Sequence, residues 1–263
     1  MADFRIVDDP ASRSASDPDT GTFEIASDTC GCDVREQLVG EFTQLALAGE
    51  CDCDDLLHYV DAHRDRYQDI AAVVDDLLVP AVRLLGQMWC DDDADFVAVT
   101  LASHRISLAL MRLEEDEGSI TTRRGRVLLV NAPDDQHGFG LLVVGFHLRR
   151  AGWQVEMAED PAALFACLRD RRFTAVGISA APDSSLASAG RLITELRRRA
   201  PADGLRIALG GASVTNGEAV EIGRSADLAT EDPDTFLRWL SEIGTAHKSR
   251  QVVDERAHLP QSD

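Results

Sequence analysis

A short segment near the middle of the chain, Asp134–Gly140, combines residue types that can bind a metal. His137 can offer one ring nitrogen to a metal, while Asp135 can accept the proton on the other nitrogen, which fixes the tautomer and raises the basicity of the ligand. Gly138 and Gly140 allow the backbone to approach a bulky group closely. Because one histidine is too little to hold a free metal ion, the segment predicts an axial ligand for a metal that arrives inside its own macrocycle. An ordinary loop histidine is the alternative interpretation.

The elements around this segment alternate between strand and helix patterns. Five consecutive strand–helix units predict an α/β domain with a parallel sheet covered by helices on both faces, of the flavodoxin-like (Rossmann-type) order 2-1-3-4-5. The expected strands are Arg126–Asn131, Trp153–Met157, Thr174–Ala180, Leu205–Gly210 and Ala226–Ala229. The expected helices are Gly140–Ala151, Pro161–Arg169, Ser184–Ala200, Thr215–Gly223 and Pro233–Ile243. In this topology the Asp134–Gly140 segment follows strand 1, at the edge where such folds bind ligands.

Small residues end the next two strands of the expected sheet core. Ser179 ends strand 3, and Gly210 and Gly211 end strand 4. Because the carboxyl ends of parallel strands share one edge of the sheet, these residues are expected near His137. Together they leave a slot into which a long, flat ligand tail could enter.

These residues resemble the Asp-x-His-x-x-Gly motif of cobalamin-binding domains. Asp135, His137 and Gly140 match the motif, and the resemblance covers about residues 123–242. It implies that His137 is the lower ligand of cobalt and that the displaced base tail inserts beside the small residues at the ends of strands 3 and 4. Ala181 departs from the family, which often has Leu at this position. The implied cofactor is adenosylcobalamin or hydroxocobalamin.

The region before the α/β domain, residues 34–118, has a helical pattern and predicts a small bundle of four helices. The overall fold class is therefore α plus α/β. The segment Leu84–Trp89 resembles the helical lid of cobalamin photoreceptors and corrinoid methyltransferases, which implies that Trp89 packs over the upper face of the cofactor. The alternative is that Trp89 belongs to the bundle core. His104 is expected at the surface, although it could reach the ligand, and His147 is expected to have a structural role.

The segment from Trp89 to Thr100 resembles the AerR/PpaA group of cobalamin-dependent antirepressors of photosynthesis genes. It departs from the CarH-type photoreceptors at Cys90 and at Val99 and Thr100, where that family has His and a Glu-His pair. No helix-turn-helix domain is evident in the sequence. The resemblance implies a light-responsive regulator without catalysis, whose partner is a repressor of the CrtJ/PpsR type. A corrinoid carrier for methyl transfer is the alternative, and haem is a second possible cofactor because related sensors are proposed to bind it.

The charge is unevenly distributed along the chain. Lys and Arg total 26 against 46 Asp and Glu, for a formal net charge of -20. Residues 1–122 hold 27 acidic and 8 basic residues, whereas residues 123–242 hold 16 and 15. An acidic front half disfavours direct DNA binding and favours a basic protein partner, although a solvated acidic face would have the same composition.

Both ends of the chain are polar, and four of the six cysteines form two closely spaced pairs. Residues 1–33 are expected to be a disordered acidic tail, and residues 244–263 a polar tail. Neither a signal peptide nor an apolar run of about 20 residues is evident, so a cytoplasmic protein without membrane association is expected. Two Cys-x-Cys pairs could bind a metal or act as redox pairs, with a spacing shorter than zinc sites use: Cys30 and Cys32, and Cys51 and Cys53.

Overall fold

A computed structural model describes two connected parts, a helical bundle and an α/β sheet domain. It describes residues 29–118, 124–181, 183–199, 204–211, 214, 222 and 225–243. The expected tails before residue 29 and after residue 243 lie outside these residues, as does the expected helix Thr215–Gly223 apart from Ile222. The fold class expected from the sequence, a helical bundle followed by a five-stranded parallel sheet with helices, is confirmed.

The bundle contains five α-helical segments connected by short turns. They are α1 (Thr29–Leu47), α2 (Cys53–Ala62), α3 (Ile70–Val73), α4 (Val79–Cys90) and α5 (Phe96–Glu117). α1 begins five residues before the expected start at Val34, within the polar stretch assigned to the tail. That stretch lacks the large apolar residues that would reveal a helix by periodicity, so its helical start is visible only in the structure.

The helical pattern expected to run from Leu56 to Leu77 is interrupted. The N–H of His63 bonds back to Val60 and Asp61 and ends α2, and a 3₁₀ turn, Arg64–Arg66, follows. The Asp69 carboxylate then accepts a hydrogen bond from the N–H of Ala72 at 2.9 Å and caps the start of α3. Capping chemistry therefore overrides an apolar periodicity that continues across the break.

A π turn, Val74–Leu78, joins α3 to α4. Pro80 lies in the first turn of α4, as expected, two residues after the π turn ends. Proline has no N–H to donate and its ring crowds the carbonyl four residues earlier, so a wider turn at this point accommodates it without ending the helix.

α5 contributes a buried stripe to the bundle core. Its buried apolar residues lie at helical spacing: Ala102, Ile106, Ala109, Leu110 and Leu113. Phe96 lies at the first turn of α5, outside this stripe, and is 65% exposed. α5 is also long and apolar enough in composition to span a membrane, the one such helix among the described residues. The buried stripe accounts for part of that composition, and an exposed apolar stripe accounts for the rest.

The sheet has the strand order β2-β1-β3-β4-β5, with every pair parallel, as the sequence predicted. The strands are β1 (Arg126–Asn131), β2 (Gln154–Ala158), β3 (Ala175–Ser179), β4 (Arg206–Gly210) and β5 (Leu228–Ala229). The expected strand bounds differ from these by at most two residues at either end.

Helices cover both faces of the sheet. They are α6 (Phe139–Arg150), α7 (Pro161–Asp170), α8 (Leu186–Arg199) and α9 (residues 233–243). Side chains of β1 alternate between the faces, so Leu128 packs in the cluster of α7 and α8 while Leu129 packs in the cluster of α6 and α9. α6 has a second role, because its residues Val143 and Phe146 belong to the core of the bundle. One helix therefore joins the two parts of the protein.

Candidate functional site

Three neighbouring strands end side by side at the carboxyl edge of the sheet. Asn131, the last residue of β1, pairs in register with Ser179 of β3, and Ser179 pairs with Gly210 of β4. The ladder continues one step further, because the N–H of Ala132 donates to the Ser179 carbonyl at 2.7 Å. The expected convergence of Ser179 and Gly210 on the edge beside the Asp134–Gly140 segment is therefore present.

Asp135 is the structural centre of this edge. Its side chain is 0% exposed, and one carboxylate oxygen accepts the backbone N–H of His137 at 2.9 Å. The other oxygen accepts the backbone N–H of Ala181 at 2.8 Å, in the segment that follows β3. The carboxylate thus joins the loops after β1 and β3. The sequence predicted a hydrogen bond of Asp135 with His137 alone. The bond from the Ala181 N–H was not predicted, because no sequence pattern indicates it.

The His137 imidazole is oriented by the same carboxylate. Nδ1 lies 2.8 Å from the Asp135 oxygen, and the side chain is 65% exposed. Because a carboxylate accepts hydrogen bonds, Nδ1 carries the proton in this pair, and the lone pair of Nε2 is left for another group. An exposed imidazole with a fixed tautomer is suited to serve as a single axial metal ligand.

The donor set near His137 does not suit a bare metal ion. Among the described residues no group of three or more His, Cys, Asp or Glu side chains could hold one. The expectation that any metal must bring its own additional ligands therefore agrees with the geometry.

The two glycines at the end of β4 differ in how strictly they are required. A Cβ on Gly211 would overlap the backbone carbonyl of Ala180, and φ is +112°, a conformation that L side chains rarely adopt. A Cβ on Gly210 would approach the Thr230 carbonyl to 3.4 Å. The glycines thus keep this edge free of side chains.

The glycines of the Asp134–Gly140 segment face open space. No protein atom lies within 4 Å of a Cβ built on Gly138 or Gly140. Gly138 is the N-cap of α6 and has an ordinary helical φ of -81°, so neither glycine is required by the packing or conformation of the protein. Their position next to His137 leaves room for the close approach of a ligand.

A buried polar atom at this edge lacks a partner. The side-chain oxygen of Asn131, at the carboxyl end of β1, has no hydrogen-bond partner within the described part of the structure. Such an atom is costly to leave unpaired, which favours a ligand group or water that donates to it. Asn131 was not among the residues singled out from the sequence.

Trp89 lies at the end of α4 and is 50% exposed, so the interpretation that it belongs to the bundle core is wrong. Its indole ring lies 6.3 Å from the ring of Phe96, between centroids, across the turn to α5. Among the ring contacts of the described residues, Trp89 pairs with Phe96 and not with His137. The structure therefore presents an exposed aromatic pair on the bundle.

α6 starts two residues after His137 and is held to the bundle by two arginine–carboxylate ion pairs and one histidine–carboxylate hydrogen bond. Arg149 donates to both carboxylate oxygens of Glu114, at 2.8 and 2.9 Å. The other two pairs are His147 with Asp75 at 2.9 Å and Arg150 with Asp69 at 3.0 Å. His147, for which a structural role was expected, thus connects α6 to the bundle through Asp75. The pairs join residues 35 to 81 positions apart in the sequence, a separation that local patterns do not detect.

The Cys-x-Cys pairs do not form a metal site among the described residues. Burial raises the pKa of both the Cys51 and the Cys53 thiols, which disfavours the thiolate that binds metals. Cys30 and Cys32 lie in the first turn of α1, and their side chains are outside the described part of the structure.

The described residues thus form a helical bundle and a Rossmann-like domain with one oriented histidine at its carboxyl edge. Residues 125–236, in the α/β part, match the family model of the B12 binding domain.

Two relatives share parts of the sequence. The chain is 28% identical over 177 residues to an uncharacterized 20.5 kDa protein in the bchF-crtJ intergenic region of Rhodobacter capsulatus, covering 65% of this chain and 92% of that protein. It is 34% identical over 111 residues to the HTH-type transcriptional repressor CarA of Myxococcus xanthus, covering 39% of this chain and 35% of the repressor.

A similar fold is found in the monomethylamine corrinoid protein of Methanosarcina barkeri. The TM-score is 0.66 at 14% sequence identity, over 80% of this chain and 99% of that protein. At this identity the likeness shows the fold alone: a helical bundle placed before a Rossmann-like domain.

Proposed function

We propose that the protein is a cobalamin-dependent, light-responsive regulator of transcription that acts through a partner protein. The observation that carries the proposal is the exposed His137 imidazole, oriented by the buried Asp135 carboxylate within the B12-binding domain. The relatives add a regulatory context, since one of them is a transcriptional repressor.

In this proposal His137 would bind the cobalt of the corrinoid through Nε2. Asp135 acts as its positioning residue, because it holds Nδ1–H and, through the Ala181 N–H, attaches the loop to the end of β3. Cobalamin would supply a cobalt–carbon bond weak enough for visible light to break. The protein then needs no general base or nucleophile, and its residues bind, orient and shield.

The end of the sheet would receive the tail of the cofactor. Ser179 and Gly210 are register neighbours, and Gly211 keeps the adjoining backbone free of a side chain. The unpartnered oxygen of Asn131 lies at the end of the neighbouring strand and can accept a hydrogen bond from a polar group of the tail.

Trp89 and Phe96 would shield the upper face of the cofactor from water. Both residues are at least half exposed to water. Contact with a large, flat ligand would bury this apolar surface, which is favourable. A change at the upper face would then reach the bundle through this pair. A change at His137 would reach the bundle through α6, which begins at Phe139 and contributes Phe146 to the bundle core.

The partner would contact an exposed apolar stripe on α5. Its members recur every three or four residues and are exposed: Val97, Leu101, His104, Leu108 and Met111. Acidic residues flank the stripe at both ends, in the turn Asp91–Asp95 and at Glu115–Glu117. An apolar face between acidic ends favours a basic, amphipathic surface, and we propose a repressor of the CrtJ/PpsR type as its source.

The cofactor test uses the purified full chain with adenosylcobalamin and hydroxocobalamin, recorded by absorption in the dark and after illumination. We expect bound corrinoid and a histidine-ligated spectrum with both compounds, and a light-dependent change with adenosylcobalamin, the one of the two that has a cobalt–carbon bond. His137→Ala should lose the histidine-ligated spectrum, whereas His104→Ala, an exposed histidine on α5, should retain it. Failure of the wild-type chain to bind a corrinoid, or an unchanged spectrum in His137→Ala, would refute the proposal.

The partner test measures binding of the loaded protein to the repressor in darkness and in light. Leu101→Gln combined with Leu108→Gln should abolish binding without removing the cofactor, because both residues lie on the exposed stripe. Arg83→Gln, an exposed change on α4, serves as the control. Equal binding by all three proteins would show that the stripe is not the contact surface.

A corrinoid carrier for methyl transfer is the second candidate function. The fold of the monomethylamine corrinoid protein favours it, but only at the level of architecture. Methylation of the reduced, cobalamin-loaded protein by a methyltransferase, without any light response, would replace the regulator by the carrier. A haem spectrum after reconstitution with haem, in the absence of corrinoid binding, would identify the other cofactor.

A further inference from the structure

A cavity lies at the amino edge of the sheet, opposite the edge that carries His137. Its volume is about 1070 Å³, and residues at the starts of β1 and β2, including Arg126 and Gln154, line it. The ends of α7 and α8 line it as well, with Arg169 and Arg199. None of the residues assigned to the cobalamin site lines this cavity. It is therefore a separate site on the same domain.

The cavity is strongly basic in a protein that is strongly acidic. Among the residues that the structure describes, six arginines line it, against a single carboxylate, Asp170. The arginines are Arg124, Arg126, Arg169, Arg171, Arg172 and Arg199. The whole chain carries a net charge of -20. A concave surface of one sign concentrates counter-ions, so this cavity attracts anions despite the charge of the rest of the molecule.

Several of these guanidinium groups are already positioned. Arg126 donates to the Gln154 side chain at 3.2 Å, and Arg124 donates to the Ser241 hydroxyl at 3.2 Å. The guanidinium of Arg199 lies 4.5 Å from the ring centroid of Phe165. Fixed side chains lose less entropy when a ligand binds, so the arrangement is partly preorganised.

The positive charge of the cavity is only partly balanced by the protein. Arg171 pairs with Glu156 at 2.6 Å, and Arg199 pairs with Glu195. No carboxylate pairs with Arg124, Arg126, Arg169 or Arg172 within the described residues. The ends of α7 and α8 attract basic residues through the helix dipole, but that attraction does not require the arginines to converge on one cavity.

The size and chemistry of the cavity suit a phosphorylated small molecule. Arginine forks bind phosphate oxygens bidentately, and several of them together can neutralise an oligophosphate. The volume is at the upper end of the range for small-molecule sites. Phe165 and Phe173 add aromatic surface to the lining, against which a planar base could pack. A long nucleic acid would need an extended groove rather than a bounded cavity.

We propose that this arginine cavity binds an oligophosphate anion of nucleotide size. The site is independent of the cobalamin site, because it lies at the other edge of the sheet and shares none of its residues. Its ligand would make the protein responsive to a second small molecule.

The test measures binding of tripolyphosphate and of ATP to the full chain by calorimetry at about 150 mM salt, a physiological ionic strength, and at about 400 mM salt. We expect both probes to bind at the lower salt and to bind at least about tenfold more weakly to Arg169→Gln combined with Arg172→Gln. The control combines Arg191→Gln with Arg238→Gln, two exposed arginines of α8 and α9 outside the cavity. The control should bind as the wild type does.

The outcomes separate this proposal from the proposed function. His137→Ala should bind tripolyphosphate and ATP as the wild type does, whatever its effect on cobalamin. No binding of either probe, or equal weakening by the cavity variant and the control variant, would overturn the proposal. Binding of a single-stranded oligonucleotide without binding of ATP would overturn it in favour of a nucleic-acid surface.

Discussion

The two edges of one parallel sheet have opposite chemistry. The carboxyl edge is organised around one buried carboxylate, Asp135, one exposed imidazole, His137, and a row of small residues at the strand ends. The amino edge carries six arginines around a cavity with a single lining carboxylate. The first edge positions one atom with directional hydrogen bonds, whereas the second accumulates charge.

The two edges are expected to differ in whether a substitution affects folding stability or ligand binding. Hydrogen bonds to a buried carboxylate are shielded from water and have a fixed direction. Removing that carboxylate therefore leaves backbone N–H donors unpaired and destabilises the fold. Exposed guanidinium groups are solvated and screened, so removing one changes binding and salt dependence more than stability. Substitutions at the two edges should therefore separate into effects on folding and effects on ligands.

The largest stability effect is expected at the carboxyl edge. Asp135→Ala removes the acceptor of the N–H groups of His137 and Ala181, and should lower the free energy of unfolding by about 3 kcal/mol. His137→Ala removes an exposed side chain and should change it by less than about 0.5 kcal/mol. Urea denaturation of the cofactor-free proteins measures both. Similar losses in the two variants would contradict the asymmetry between positioning residue and ligand.

A glycine from each edge provides the next comparison. Gly211→Ala should destabilise the protein by about 2 kcal/mol, because the added Cβ overlaps the Ala180 carbonyl at a positive φ. Gly204→Ala, beside the arginine cavity, also has a positive φ but meets no atom within 4 Å, and should cost about 1 kcal/mol. Thermal and urea unfolding give the ranking. A larger loss at Gly204 would show that space at the carboxyl edge is not limiting.

A smaller effect, dependent on pH, is expected from Asp227 near the amino end of β4. Burial by itself raises the pKa of Asp227, but hydrogen bonds from the Arg197 side chain and the Ile207 N–H outweigh it and hold the pKa below its ordinary value. A lowered pKa in the folded state contributes stability above the ordinary pKa, and this contribution disappears as the pH falls through the folded pKa.

The substitution that tests this is Asp227→Asn. We expect it to cost about 1 kcal/mol at pH 7, because the ion pairs with Arg197 and Arg206 are lost. The difference from the wild type should shrink once the pH falls below about 4, the ordinary carboxyl pKa, and disappear as the pH passes the lower pKa of the folded state. Urea denaturation at pH 7 and pH 3 measures it, and a difference that stays constant across this interval would rule out the charge of Asp227 as the cause.

The smallest effect is expected where the carboxyl edge connects to the bundle. Arg149→Gln removes the pair with Glu114 that joins α6 to α5, and should cost about 0.5 kcal/mol because both groups are partly exposed. Arg191→Gln, an exposed change on α8, should have no measurable effect. Unfolding at low and high salt checks the cause, since the loss should diminish as salt increases. An identical loss at both salt concentrations would point to packing rather than charge.

Several parts of the site were accessible from the sequence because their signals are local. The spacing of Asp135 and His137 places both in one loop after a buried strand, and the structure shows the expected contact at 2.8 Å. The strand order followed from the regular alternation of strands and helices. Trp89 shows the limit of such signals, since a tryptophan at helical spacing is compatible with both core and surface, and only packing shows that it is half exposed.

Local sequence patterns were enough to predict the class of fold, the position of the His137 loop at the carboxyl edge, and the uneven charge of the two halves. Periodicity, motif spacing and composition are properties of neighbouring residues. The hydrogen bond from the Ala181 N–H to Asp135, and the packing of α6 against both sheet and bundle, are visible only in the folded protein. The packing of whole elements alone gathers arginines from β1, α7 and α8 and from connecting loops around one cavity. These features join residues far apart in the chain, and their positions depend on how whole elements pack, which no local pattern encodes.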